Sequence, residues 1–294
     1  LIDDGHTRLT IPRRHPEIGL EFGHTSTPRP VREALAFNQL PVAFEQFADG
    51  VFIIAASRKH ANSIGLRVLS IDDTPIEEAL KTVQAITFAD NQQLEALMGV
   101  DRLTLIDALA ALGISKSIDT ASIEVIDGTG TTRILKLGAL PPGPVDWIGP
   151  FDKSPLPLRL QRPERAFWSE YVRQGNYLYA QLDEITDSDI PLAEFITSVI
   201  GEADRRDAKL IIDVRQNFGG SGDLNKTLVM SLIQNEKLNQ YDRTFVLTGR
   251  RTFSAAQMLV NELERYTRVS FVGEPTGSRP DHCGDPKTIR LANR

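Results

Sequence analysis

The sequence predicts a mixed α/β protein, with a mostly parallel sheet and crossover helices in its second half and a strand-rich unit in its first half. Three observations carry this expectation. Apolar strands alternate with amphipathic helices after residue 166, two pairs of strand-like runs meet at Asp-Gly turns between residues 40 and 137, and seven of the 17 prolines fall between Leu140 and Pro163. The third marks a linker, because neither a helix interior nor a central strand tolerates such a proline density.

The elements follow in order. Leu40 to Ala56 reads as two strands joined at Asp49-Gly50, and Leu66 to Ile71 as a third. Thr74 then opens a helix, with Pro75 at its first position and Ile76, Ala79 and Leu80 on one face. Two further amphipathic helices are expected near Asn91 to Met98 and over Asp101 to Leu112, the second ending at Gly113. Strands return at Ser122 to Asp127 and Thr131 to Leu137. The predicted organisation is thus an N-terminal segment over 1–39, a strand-rich domain with a helical insertion over 40–139, a linker over 140–165 and an α/β core over 166–294.

In the core, Phe167 to Val172 and Tyr177 to Ile185 form a hairpin. Pro191 to Arg206 is a helix that starts near Asp189, with apolar residues at helical spacing from Leu192 to Ala203. Leu210 to Val214 is a continuous apolar run, as in a strand covered on both faces. A helix over Leu224 to Asn235 leads to strand Thr244 to Thr248, and a helix over Ala255 to Tyr266 leads to strand Val269 to Val272. This order implies parallel strands joined by crossovers.

Composition excludes several functions. A net charge of −6 with scattered Lys and Arg offers no footprint for a phosphate backbone, so nucleic acid is not expected as a partner. No apolar run is long enough to cross a bilayer. Cys283 is the single cysteine, which excludes an internal disulfide framework and suits either redox compartment; a lone thiol beside His282 is more often inert than nucleophilic. Neither a His-Glu-x-x-His helix nor paired cysteines occur, so no metal is expected. Gly220-Ser-Gly222 lacks the Lys and spacing of a phosphate loop, and no cofactor is implied.

Ligands of open α/β sheets bind at the carboxyl ends of the strands. Two loops qualify. In Asp213-Val-Arg-Gln-Asn-Phe-Gly-Gly220 the paired glycines let the backbone approach a substrate and turn N–H groups toward a developing oxyanion. In Thr252-Phe-Ser-Ala255, Ser254 stands where a strand has ended and a helix begins, with the Ala255 N–H as a second oxyanion donor. The same Ser254, with Gln257 three residues on, also spells a capping box, and caps far outnumber nucleophiles. A nucleophilic serine needs a base. The five histidines are His6, His15, His24, His60 and His282, and their spacing alone selects none of them. The Gly-x-Ser-x-Gly elbow of α/β hydrolases is missing.

The stretches Leu210-Ile-Ile-Asp-Val-Arg-Gln-Asn-Phe-Gly-Gly220, Phe245-Val-Leu-Thr-Gly-Arg-Arg-Thr-Phe-Ser-Ala-Ala256 and Val272-Gly-Glu-Pro-Thr-Gly277 resemble, in order and spacing, the C-terminal processing (tail-specific) serine peptidases and the related tricorn core protease. The resemblance covers about residues 177 to 280 and implies a ClpP/crotonase-like core. It makes Ser254 the nucleophile, Gly219 or Gly220 an oxyanion donor with Ala255, and a peptide or protein the substrate. Residues 64–137 look like the PDZ-like module of the same family. In the tail-specific branch the base is a Lys in a Thr-Phe-Gly-Lys context, where Thr276-Gly-Ser-Arg279 here carries Arg279. Arginine does not give up its proton near neutral pH. The tricorn-like branch uses a distant N-terminal His, and Asp4-Gly-His-Thr7 fits that context better than the surroundings of His24, so His6 is the preferred base. Its further Glu would fall beyond Arg294. Arg279, His282 and Asn217 are then candidate substrate contacts. The alternative is a catalytically inactive protein of this fold that binds a peptide or a small hydrophobic ligand.

Overall fold

The computed structural model describes residues 37–141, 143–149, 155–282 and 284. Two sheets organise them, each with its own apolar core. The first contains seven strands, all paired antiparallel: β1 (Val42–Phe47), β2 (Gly50–Ser57), β3 (Arg67–Ile71), β4 (Thr74–Pro75), β5 (Thr120–Ile126), β6 (Thr132–Gly138) and β7 (Trp147–Ile148). Alternation in β5, where Ala121, Ile123 and Val125 are buried and the residues between them are not, shows one face of this sheet packed and the other wet. Phe47 pairs with Gly50 at the Asp49-Gly50 turn, where Gly50 takes φ +143°.

Three helices cover that sheet: α1 (Ile76–Gln84), α2 (Gln92–Arg102) and α3 (Ile106–Ala111). Their starts differ from expectation. Thr74 does not cap α1: Thr74 and Pro75 pair with Ile71 and Ser70 as a two-residue strand, and the helix begins after the proline. The chain can remain extended there because the residue before a proline disfavours helical dihedrals. The expected break at residue 101 falls later, since α2 runs through Asp101 and Arg102 and the chain turns at Leu103 to Leu105. Within the proline-rich stretch, Trp147 and Ile148 pair with Ser57 and Ala56 of β2 and so add an edge to the antiparallel sheet.

The second sheet has the order β12-β11-β10-β9-β8, with β8 (Phe167–Val172), β9 (Tyr177–Leu182), β10 (Lys209–Asp213), β11 (Thr244–Thr248) and β12 (Ser270–Gly273). Strands β9 to β12 are parallel and β8 is an antiparallel edge. The parallel arrangement therefore describes only this sheet; with the larger sheet antiparallel, the chain is mixed α/β. Helices α4 (Leu192–Arg205), α5 (Asn225–Gln234) and α6 (Ala255–Tyr266) connect the parallel strands. The apolar stripe of α4, from Leu192 to Ala203, is buried against the sheet. Its first turn is held by Asp187, whose Oδ1 accepts from Leu192 N at 2.9 Å, rather than by Asp189.

Among the described residues no helix is long and apolar enough to cross a membrane. A surface concavity of about 980 Å³ is lined by Tyr241, Tyr266 and Arg268 near the starts of β11 and β12. It lies at the amino ends of the parallel strands, opposite Ser254, whereas ligands of such sheets bind at the carboxyl ends.

Candidate active site

Strand β11 ends at Thr248 and α6 begins at Ala255, and the turn between them is fixed by a fully buried threonine. Thr252 Oγ1 donates to Val214 O at 2.8 Å and accepts from Gly249 N at 3.0 Å, tying this turn to the end of β10. Phe253 is buried and stacks on Phe218, ring centroids 4.7 Å apart, and its N–H donates to Asn217 O at 3.0 Å. Ser254 comes next, half-buried, with φ 53° and ψ −121°. A non-glycine residue in that region carries roughly 1–3 kcal/mol of backbone strain, which persists only where surrounding contacts over-determine it.

This geometry argues against the capping reading of Ser254. A capping serine keeps extended dihedrals and accepts from the helix N–H groups, whereas Ser254 makes no side-chain cap hydrogen bond. Gln257 does not reach back to close a capping box; its Nε2 donates to Asn261 Oδ1 at 2.7 Å. The strained serine at a strand-to-helix turn is the arrangement that a nucleophile elbow uses, reached here without the flanking glycine motif.

The Gly-Gly loop lies directly against this turn. Gly219 has φ +118°, and a Cβ placed on it would come within 2.8 Å of Ser254 Cβ and 3.2 Å of Ala255 N. Gly220 has φ +133°, and its Cβ would meet Ile185 O at 2.1 Å. That proximity arises because Ile185 bridges Gly220 in parallel, extending the β9 to β10 pairing past the strand ends. Of the two candidate glycine donors, Gly219 N–H is already committed to Asn217 Oδ1 at 2.9 Å. The N–H groups of Gly220 and Ala255 make no hydrogen bond among the described residues. Of the three expected donors, Gly220 and Ala255 are therefore the two whose N–H groups are uncommitted among the described residues.

Asn217 departs from its expected role as a substrate contact. It is fully buried; Nδ2 donates to Leu182 O at 2.9 Å, Oδ1 accepts from Gly219 N, and its carbonyl accepts from Phe253 N. All of these groups being occupied, Asn217 brackets the end of β9, the Gly-Gly loop and the serine turn. Arg279 is exposed, and His282 Nδ1 lies 2.9 Å from Arg279 O, with the imidazole stacked toward Phe253 at 6.4 Å between centroids. The structure thus brings Ser254, Ala255, Gly219, Gly220, Asn217 and His282 into one neighbourhood. His6, His24 and Cys283 lie outside the described residues. Among the described residues no group of three or more His, Cys, Asp or Glu is placed to hold a metal ion.

The sequence reading missed a buried polar cluster behind the Gly-Gly loop. Tyr179 Oη donates to Asp213 Oδ2 at 2.6 Å, and the Arg215 guanidinium pairs with the same carboxylate at 2.6 Å. Nearby, Gln181 Nε2 donates to Asp183 Oδ2 at 2.7 Å, while Asp183 Oδ1 is buried with no partner in the described structure. Burial, helped by the negative charge of Asp213 and opposed by the Gln181 hydrogen bond, pushes the Asp183 carboxyl up to about 6. Below pH 4 both folded and unfolded chains hold this proton. Between pH 4 and 6 the unfolded chain ionises first, so stability falls with rising pH and the loss is complete above 6, at about 3 kcal/mol. Urea unfolding of Asp183→Asn at pH 4 and pH 7.5 is expected to lack this fall; an unchanged pH slope would count against the assignment.

No protein-family model matches the sequence. No curated protein matches it either. Solved structures do. Mature CPAF complexed with lactacystin superposes with a TM-score of 0.59 at 13% identity, covering 88% of this chain and 74% of that one. Mature CPAF alone gives 0.53 at 14% identity, covering 82% and 70%. The tricorn protease matches at 0.26 and 12% identity, covering 84% of this chain and 23% of that one. The chain shares the CPAF fold, and the preference for a tricorn-like branch rests on sequence alone.

Proposed function

We propose that the protein is a serine peptidase that hydrolyses peptide bonds through an acyl-enzyme, a member of the C-terminal processing family closer to its tricorn-like branch. The observation that carries this reading is Ser254, held at φ 53° without a capping bond beside Gly219, where an added Cβ would come within 2.8 Å of the serine Cβ. In this reading His6 takes the proton from Ser254 Oγ, and the oxygen attacks the peptide carbonyl carbon. The N–H groups of Gly220 and Ala255 hold the oxyanion, each contributing about 3 kcal/mol to the barrier reduction. The C–N bond then breaks as the imidazolium returns its proton to the leaving amine. Water, deprotonated by the same imidazole, hydrolyses the ester and releases the carboxylate product.

The antiparallel unit would serve as the PDZ-like platform for the peptide and the parallel sheet as the ClpP/crotonase-like core. Arg279, exposed near the serine turn, is suited to a substrate carboxylate rather than to proton transfer. Its presence where the tail-specific branch has Lys also favours the second reading, a binding protein without turnover. A fluorophosphonate separates the two. Labelling mapped to Ser254 and lost in His6→Ala is expected for the peptidase, whereas a folded protein that stays unlabelled would sink it.

A further inference from the structure

Resting on the acyl-transfer reading of Ser254, we propose that Asn91 is a positioning residue for the nucleophile turn, holding the segment Thr276 to Ser278 against it from the antiparallel unit. Asn91 Oδ1 accepts from Gln93 N and Leu94 N, both at 3.0 Å, and so caps α2. Because those two donors fix which end of the amide is oxygen, Nδ2 must face the other way. It donates to Thr276 O at 2.9 Å and Ser278 O at 3.3 Å. The neighbouring Asp90 reinforces the grip, its Oδ2 accepting from Ser278 Oγ at 2.7 Å with both residues only 2% exposed.

What is gripped bears directly on Ser254. Gly277 N donates to Thr252 O at 3.0 Å, two residues before the serine. A Cβ on Gly277 would come within 2.1 Å of Arg250 O and in ordinary contact, 3.6 Å, with Leu94 Cβ, so the segment lies hard against the turn with α2 at its back. On the other side of the turn, Phe253 packs against Leu94, Leu97 and Met98 of the same helix. Helix α2 thus holds the residues preceding Ser254 through hydrogen bonds on one flank and an apolar contact on the other. The helical insertion, which interrupts the strand pattern of the first half, acquires a purpose: it fixes the turn on which Ser254 sits. A small displacement of a nucleophile is amplified in rate, because reaction requires near-attack geometry.

The test separates the clamp from the cap. In Asn91→Ser the hydroxyl still caps α2 but has no second arm, and in Asn91→Asp the cap is retained while an acceptor faces two carbonyl oxygens. Both variants are expected to exchange the amides of residues 250–256 about tenfold faster, and to label at Ser254 about tenfold more slowly. Turnover of a peptide substrate should lose kcat with KM unchanged at a temperature where circular dichroism shows each variant fully folded, so that a smaller folded fraction does not account for the loss. Wild-type exchange and wild-type labelling in both variants would overturn the proposal. If the wild-type protein itself does not label, the acyl-transfer reading fails instead, and the exchange measurement still decides whether Asn91 holds the turn.

Discussion

Alanine in place of Gly219 is expected to slow phosphonate labelling at Ser254 steeply and to lower the melting temperature at the same time. The added methyl would stand 2.8 Å from Ser254 Cβ and 3.2 Å from both Ala255 N and Phe253 O, at a backbone φ of +118° that alanine disfavours. None of these three neighbours can yield cheaply. The serine turn is pinned by Thr252 and Asn217, and the Gly219 N–H is held by the Asn217 side chain. Dihedral strain and overpacking together come to roughly 2–4 kcal/mol, enough to lower the melting temperature of a chain this size by about 5–10 °C. Labelling should slow at least ~100-fold, since the methyl also crowds the Ala255 N–H. A variant that labels at the wild-type rate would show that the Gly-Gly loop does not shape the site.

Ser254 itself should separate activity from stability. Ser254→Ala and Ser254→Gly are both expected to be inert, with turnover reduced by about 10⁶-fold where a nucleophile is lost. Their stabilities should differ in an order that simple packing does not predict. Alanine retains the Cβ and so retains the cost of φ 53° and ψ −121°, whereas glycine adopts those angles freely. After allowance for the greater freedom of glycine in the unfolded chain, Ser254→Gly should be about 1 kcal/mol more stable than Ser254→Ala. Denaturant titrations of the two variants measure this directly. An alanine variant with full turnover would remove Ser254 from the mechanism, and a glycine variant less stable than the alanine one would remove the strain.

The parts of this architecture set by local chemistry could be read from the sequence. The limits Thr244 to Thr248 and Ala255 to Tyr266 agree with the structure, because an apolar run and a clean helical stripe define them without help from distant residues. The Asp49-Gly50 turn is legible for the same reason. The capping-box pattern at Ser254 and Gln257 is a true sequence pattern that tertiary packing overrides: Phe253 is drawn onto α2 and Asn217, and the chain must twist to positive φ immediately afterwards. Asn217 is a candidate substrate contact in the sequence, but its side-chain partner Leu182 is 35 positions away and no local pattern announces it. Asn91 was legible as a helix start, but not its second arm. Asp183 carried no signal at all, since its altered acidity comes from burial that only the assembled sheet creates.

The link from Asn91 to Ser278 spans 187 positions of the chain. Closing a loop of that length costs about 4–5 kcal/mol of chain entropy before any contact is made. Helices such as α4 and the β8–β9 hairpin form from near neighbours and need no such closure. Completion of the serine turn therefore belongs late in folding, after both sheets have gathered their own cores. A chain still emerging from synthesis would hold most of the secondary structure of both sheets while the turn that carries Ser254 remained unset, until residues 276–278 had been made and could be gripped by Asn91.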